Sequence, residues 1–151
     1  MALPKRKHPR LKDYDYSQNG CYFVTICVKK RENLLSQIDK IKNEVVLNDM
    51  GVQIEKFILK IASVYEGIFV DNYVIMPDHI HLLLRIEGKK DKLVQPKLQT
   101  IIRSFKTMVT KEIGESIWQT SYYDHIVRNE QDYMNVWNYI ETNPCRWLKN
   151  K

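Results

Sequence analysis

Two histidines one residue apart, His79 and His81, are the side chains in this sequence best suited to chemistry. They stand where a predicted strand, Ile80–Ile86, begins. Alternate residues of a strand share a face, so the two imidazoles are expected side by side, with the aliphatic residues facing the other way. Neutral imidazoles so placed can hold one divalent cation, whereas the ordinary alternative is a polar strand end with no ligand. His125, on a later predicted strand, can reach the same site.

A tyrosine further along the chain, Tyr139, is the second candidate. At about 100° per residue, it lies about 110° from the centre of the apolar stripe of its predicted helix, and Asn143 lies about 40° from Tyr139. Both side chains therefore project from a flank of that helix. A tyrosine so placed is more often a boundary residue than a nucleophile, but a neighbouring metal or cation would give its phenol a chemical use.

The elements that position these residues follow from the hydrophobic pattern. A weak hairpin is predicted around Lys42-Asn43, and Pro144 is expected to end the last helix. Strands are predicted over 21–28, 68–76, 80–86 and 122–127, and helices from Asn48 or Asp49 to Tyr65, over 98–113 and over 129–143. The order predicts one α+β domain over 1–151, a ferredoxin-like (RRM-like) βαββαβ sandwich with an antiparallel sheet and a C-terminal helix that carries the tyrosine. The histidines would lie on the open face of that sheet, opposite the two helices.

Composition excludes several classes of protein. The chain has 151 residues, of which 44% are apolar and 28% charged, as in an ordinary globular domain. Its apolar runs are too short to span a bilayer, and no apolar segment follows the basic start, so a cytoplasmic protein without a membrane partner is expected. Three cysteines without a CxxC pair argue against disulfides and thiolate zinc sites.

The net charge of +6 is concentrated in clusters. One is a basic arm over 1–19, with Lys5, Arg6, Lys7 and Arg10. Another lies on one face of the helix predicted over 98–113, with Arg103, Lys106 and Lys111. Clustered cations suit a polyanion, most simply nucleic acid, although a solvated basic face is the ordinary alternative.

The sequence resembles the single-tyrosine HUH transposases, most closely the REP-associated tyrosine transposases and their IS200-like relatives. His79-Ile80-His81 matches the His-hydrophobic-His motif of that family, and Tyr139 matches its catalytic tyrosine. Asn143 falls where relatives place a third polar metal ligand, often Gln. The resemblance covers most of the chain and is carried by DYSQNGCYFVTICVKKRENLL, YVIMPDHIHLLL, IIRSFKTMVTKEI and WQTSYYDHIVRNEQDYMNVWNYIETNP.

The resemblance implies metal-dependent nicking and rejoining of single-stranded DNA through a 5′-phosphotyrosine, at hairpin DNA ends, by a monomer or a homodimer. Mg²⁺ or Mn²⁺ would be the cofactor by this resemblance. Two imidazoles and an amide by themselves suggest a transition-metal ion, and Mn²⁺ agrees both with the resemblance and with these ligands. The basic clusters would bind the DNA backbone, and Tyr122, Tyr123 or Trp118 would stack on bases. A non-catalytic single-stranded nucleic-acid-binding module of RRM-like fold is the alternative. A metal-dependent hydrolase would need a carboxylate-rich second metal site, which the sequence lacks.

Overall fold

The computed structural model describes residues 20–88 and 97–150. The basic arm, with Lys5, Arg6, Lys7 and Arg10, lies outside the described residues. A short 3-10 turn at Lys29–Arg31 follows the first strand. The strands are β1 Gly20–Cys27, β2 Ser36–Asp39, β3 Glu44–Leu47, β4 Ile68–Ile75, β5 His79–Ile86 and β6 Tyr123–Val127, and the helices are α1 Asp49–Val64, α2 Leu98–Ile113, α3 Glu130–Glu141 and α4 Asn143–Lys149.

The main sheet has four strands in the order β4-β5-β1-β6, and every neighbouring pair is antiparallel. β2 and β3 form a separate hairpin inserted between β1 and α1. Without that hairpin, the elements from β1 to β6 follow the predicted order βαββαβ. The predicted α+β class and antiparallel sheet are confirmed, and the hairpin around Lys42-Asn43 is present.

Both faces of the main sheet are covered. On one face, alternate residues of β1 and β5, such as Val24 and Leu82, pack with apolar side chains of α1 and α2. On the other face, Phe23 and Leu83 pack with Val136 of α3. The expectation of an open second face was therefore wrong, because the sheet carries apolar side chains on both faces and α3 buries part of the second.

The β2–β3 hairpin is attached to the turn that precedes the two histidines. The amide of Leu35 donates to the Pro77 carbonyl at 3.0 Å, and Ser36 Oγ donates to the Ile75 carbonyl at 2.9 Å. Gly51 in α1 allows close approach from the other side, because a Cβ there would lie 2.2 Å from the Leu35 carbonyl oxygen. The turn between β4 and β5 is thus held not only by the pairing of those two strands but also by hydrogen bonds from the start of the β2–β3 hairpin.

The helix predicted over 129–143 is divided in the structure. α3 ends at Glu141, and α4 begins at Asn143. Pro144 does not simply stop a helix but stands in the first turn of α4, where its missing N–H costs no hydrogen bond. Asn143 is therefore the first residue of a second helix and not the last turn of the helix that carries Tyr139. None of the helices in residues 20–88 and 97–150 has the length and apolar content needed to cross a membrane.

A partly buried phenol, that of Tyr133, fixes α3 to the edge of the sheet and leads to a pH-dependent prediction. Tyr133 Oη donates to Asp71 Oδ2 at 2.8 Å, and Arg85 Nε donates to the same carboxylate oxygen at 3.1 Å. Burial and the hydrogen bond to Asp71 raise the pKa of Tyr133 to about 12. In the unfolded chain the phenol loses its proton near pH 10, so this residue makes the free energy of unfolding fall as pH rises from about 10 to 12.

Chemical denaturation of the protein and of Tyr133→Phe across this pH range checks the prediction. The fall in unfolding free energy should be smaller in the variant, because it has no phenol to ionise at this position. Equal falls in the two proteins would contradict it.

Candidate functional site

A cavity of about 630 Å³ lies between the second face of the sheet and helices α3 and α4. Four of the residues singled out from the sequence line it together: His79, His81, Tyr139 and Asn143. Tyr123 lines it as well. These side chains come from β5, β6, α3 and the start of α4, so the chain brings distant segments to one site.

The two histidines face each other through their distal ring nitrogens. Their Nε2 atoms are 3.1 Å apart, and the ring planes are inclined at 71°. Both residues are buried, with 8% and 4% of their surface exposed. Their common face follows from the strand alternation, and their burial follows from the cover that α3 and α4 provide.

The inner nitrogens of the two rings are held by neighbouring side chains. His79 Nδ1 lies 2.6 Å from Asp78 Oδ1, and the other oxygen of Asp78 accepts from Arg31 Nε at 2.8 Å. His81 Nδ1 lies 2.8 Å from Thr25 Oγ1. Partners of this kind fix the orientation of metal-ligating histidines and tune their basicity. The sequence interpretation missed all three residues; the pairing of Thr25 with His81 across β1 and β5 could have indicated one of them.

Burial and neighbouring charges shift the pKa values of two groups at this site, His81 and Asp78. Burial lowers the pKa of His81 well below its usual value, and the neighbouring His79, Arg146 and Arg31 lower it further. Burial opposes ionisation of Asp78, yet hydrogen bonds from His79 and Arg31 lower the pKa of this carboxyl to about 2. Asp78 is therefore a carboxylate that can accept a hydrogen bond from a protonated Nδ1 of His79, and in that tautomer Nε2 of His79 carries the lone pair that a metal ion would need.

The donor set fits a divalent cation with open coordination positions. In the part of the chain that the structure describes, no three His, Cys, Asp or Glu residues are grouped to hold a metal ion. The site instead offers two imidazoles and the amide of buried Asn143. The 3.1 Å between the Nε2 atoms is close to the roughly 3.0 Å that separates adjacent ligands of an octahedral ion at about 2.1 Å. Three protein donors would leave positions for water or substrate oxygens.

Tyr139 packs against His81, one of the two histidines. Its ring meets His81 edge-on at a centroid distance of 5.5 Å, and Phe23 at 5.7 Å. The Arg146 Cζ atom lies 4.0 Å from the centre of the Tyr139 ring, and the same guanidinium donates to the Tyr139 carbonyl and to Thr142 Oγ1. Arg146 therefore joins α4 to the end of α3 and places a positive charge beside the phenol. The sequence interpretation missed Arg146 because it did not expect α4.

The two paired tyrosines have different environments. Tyr123 is 53% exposed at the cavity, whereas Tyr122 is 6% exposed and belongs to the apolar core on the helix side of the sheet. The expectation that Tyr122 stacks on bases does not fit this burial, because successive residues of an extended chain point to opposite faces and Tyr122 therefore faces the core. His125 does not reach the histidine pair either; its Nε2 lies 2.8 Å from Asp132 Oδ2 at the start of α3.

The basic residues of α2 lie outside this cavity. Arg103, Lys106 and Lys111 line a separate groove, together with Tyr122. Arg103 and Lys111 are exposed. Lys106 Nζ donates to the carbonyls of Gln119 and Thr120 at 2.8 and 3.1 Å, so its ammonium also has a structural role.

Comparisons with known proteins agree with this architecture. The family model for IS200-like transposases matches residues 16–143. An uncharacterised protein of Haemophilus influenzae is 32% identical over an alignment of 171 positions, which covers 99% of this chain and 94% of that protein. A REP-associated tyrosine transposase of Escherichia coli K12 is 24% identical, with 89% of this chain and 73% of the relative covered. The solved structure of a REP-associated tyrosine transposase bound to a REP hairpin has the same fold, with a TM-score of 0.62 at 22% identity, covering 97% of this chain and 74% of that one.

Proposed function

Because the chain belongs to the IS200-like transposase family, we propose that it cuts and rejoins single-stranded DNA through a covalent bond to Tyr139. The observation that carries this proposal is the juxtaposition, in one cavity, of a phenol, a guanidinium and two buried imidazoles whose Nε2 atoms are 3.1 Å apart. Each of these groups has a task in transferring a phosphodiester, and a passive binding surface would not need their convergence.

His79 and His81 would hold a divalent cation through Nε2, with Asn143 as the third protein donor. Mn²⁺ or Mg²⁺ is the expected ion; Mn²⁺ accepts both imidazole and oxygen ligands. When bound, such an ion polarises the scissile phosphate and offsets the charge that develops on it. The bonds from Asp78 to His79 and from Thr25 to His81 hold the two rings in place for this purpose.

Tyr139 would be the nucleophile. Its oxygen forms a bond to the phosphorus as the bond from phosphorus to the 3′ oxygen breaks. The products are a 5′-phosphotyrosine and a free 3′-hydroxyl, which takes up a proton in place of the one lost by the phenol. Attack by another 3′-hydroxyl reverses the step and joins two strands without an external energy source. Arg146, at 4.0 Å from the ring, would stabilise negative charge on the attacking oxygen.

Hairpin-bearing single-stranded DNA is the proposed substrate. The solved relative is a complex with a REP hairpin, which supports this class of DNA for the present chain. Exposed Tyr123 and the partly buried Trp147 line the cavity and offer rings on which bases can stack. The basic arm, with Lys5, Arg6, Lys7 and Arg10, would contact the phosphate backbone.

An adduct assay with two differently labelled substrates tests the proposal. With Mn²⁺ or Mg²⁺ and a library of imperfect-hairpin single strands, label at the DNA 3′ end should become attached to the protein in a denaturing gel. Label at the 5′ end should appear in a shortened free strand. EDTA should abolish both products, because the two imidazoles need the ion to act on the phosphate.

The assay also separates this proposal from a non-catalytic binding module. DNA binding without an adduct anywhere in the library would favour that module. Transfer of the 5′ label to the protein would instead mean a 3′-phosphotyrosine and would contradict the proposed direction of attack.

A further inference from the structure

A second cavity, here called the α2 groove, lies between α2 and the segment 116–122 and has a volume of about 780 Å³. We propose that it binds the phosphate backbone of DNA that flanks the strand held in the catalytic cavity. This inference rests on the proposed function and extends it, because it assigns a second contact surface and the chemical group that this surface takes.

The charge of the α2 groove indicates an anionic partner. Of the residues that line it, Lys29, Arg103, Lys106 and Lys111 are cations, and none of these described lining residues is Asp or Glu. Five Ser and Thr side chains and two Gln side chains also line it, and Ile102, Trp118 and Tyr122 complete the lining. Arg, Lys, Ser, Thr and Gln side chains are those that usually contact phosphate and sugar oxygens.

The spacing of the cations along α2 suits a repeated charge. Arg103 and Lys111 are eight residues apart, which is about 12 Å along the helix. This distance exceeds the separation of neighbouring phosphates, which is about 3.4 Å along a duplex axis and larger in an extended single strand, so the two cations can contact different phosphates of one strand. Lys106 lies between them and, through its bonds to the Gln119 and Thr120 carbonyls, holds the opposite wall of the groove in place.

The α2 groove adjoins the catalytic cavity along two short segments. On the Lys29–Arg31 turn, Lys29 lines the groove and Arg31 lines the cavity. Further along the chain, Ser121 lines the groove and Tyr123 lines the cavity. Backbone hydrogen bonds join the chain beside these two segments, from Lys29 to the Ile117 carbonyl at 2.8 Å and from Gln119 to the Cys27 carbonyl at 2.9 Å. A strand that leaves the cavity across this border therefore enters the groove.

The aromatic residues indicate that the α2 groove does not recognise bases. Its two rings, Trp118 and Tyr122, are only 2% and 6% exposed and belong to the core. The catalytic cavity, in contrast, has an exposed ring in Tyr123. We therefore expect the groove to supply affinity that depends on salt but not on the base sequence of the flank.

The test is a charge-matched pair of triple variants. The groove variant carries Lys29→Gln, Arg103→Gln and Lys111→Gln. The control variant removes three exposed cations elsewhere, with Lys40→Gln, Lys42→Gln and Lys56→Gln. Both are made in a Tyr139→Phe background and titrated in EDTA with hairpin DNA, with or without single-stranded flanks, so that binding is measured apart from chemistry.

With flanked DNA, the groove variant should lose about 100-fold in affinity at 0.1 M salt, and the slope of log affinity against log salt should become shallower by about 2 to 3. The control variant should stay close to the parent, and changing the bases of the flank should change neither result. An equal loss in the control variant, an equal loss with unflanked DNA, or no loss at all would each overturn the proposal. A groove variant that keeps its DNA affinity but loses binding to an acidic peptide or to anionic vesicles would assign the groove to that partner instead.

The outcome is separable from that of the proposed function. The groove variant with Tyr139 intact should still form the covalent adduct on unflanked DNA, because its substitutions leave the catalytic cavity unchanged. If no version of the protein forms an adduct and the salt slope still changes, the groove assignment stands and the catalytic proposal fails.

Discussion

Replacing Tyr139 with Phe will abolish the covalent protein–DNA adduct and lower strand cleavage by at least about a thousandfold. The substitution removes only the phenolic oxygen, and the Phe ring can keep the edge contacts with His81 and Phe23. DNA affinity in EDTA should stay within about threefold, since backbone contacts dominate binding. Adduct yield and cleavage rate with Mn²⁺ measure the first expectation, and a DNA-binding titration in EDTA measures the second.

Two matched substitutions make this prediction specific. Tyr123→Phe removes the second phenol of the same cavity, and Tyr133→Phe removes a phenol of the same helix that is bonded to Asp71. Both should still form adduct. If Tyr123→Phe lost the adduct and Tyr139→Phe kept it, the nucleophile would be Tyr123 and our assignment would be wrong.

Replacing His81 with Ala will remove tight Mn²⁺ binding and with it cleavage, because one of two imidazole donors is lost. Asp78→Asn should have a smaller effect, a loss of about 10- to 100-fold in Mn²⁺ affinity, since it removes the negative charge that orients His79 and leaves both rings present. Calorimetry or the electron paramagnetic resonance of Mn²⁺ measures the affinity independently of catalysis.

His125→Ala is the matched control for the metal prediction. This histidine is paired to Asp132 and lies outside the cavity, so its removal should leave Mn²⁺ affinity unchanged. DNA binding by His81→Ala in EDTA should also persist. If His81→Ala lost DNA binding and metal binding together and unfolded at a lower temperature than the parent protein, His81 would have a folding role.

The regular elements could be predicted because their signals are local. The apolar stripe of α1 places Ile54, Ile58 and Ile61 on one face, and all three are buried as that pattern predicts. The alternation in β5 likewise separates the histidines from the aliphatic residues that face α1 and α2. Such patterns need no knowledge of which elements become neighbours.

The residues that hold the site's side chains in place could not be predicted in the same way. Thr25 reaches His81 only through the pairing register of β1 with β5, and Arg31 reaches Asp78 only because a turn follows β1. Pro144 is compatible both with the end of one helix and with the first turn of another, so α4 with Arg146 was missed. The cover over the histidines depends on the path of the chain after β6, which hydrophobic patterns do not specify.

The order of the elements along the chain has a consequence for biosynthesis. His79 and His81 belong to β5, and β6 completes the main sheet before α3 supplies Tyr139 and α4 supplies Arg146. Because synthesis proceeds from the N-terminus, a nascent polypeptide acquires its two imidazoles before the proposed nucleophile. On the ribosome, the chain therefore passes through a stage at which it has the two imidazoles proposed to hold an ion but lacks the phenol proposed to attack DNA.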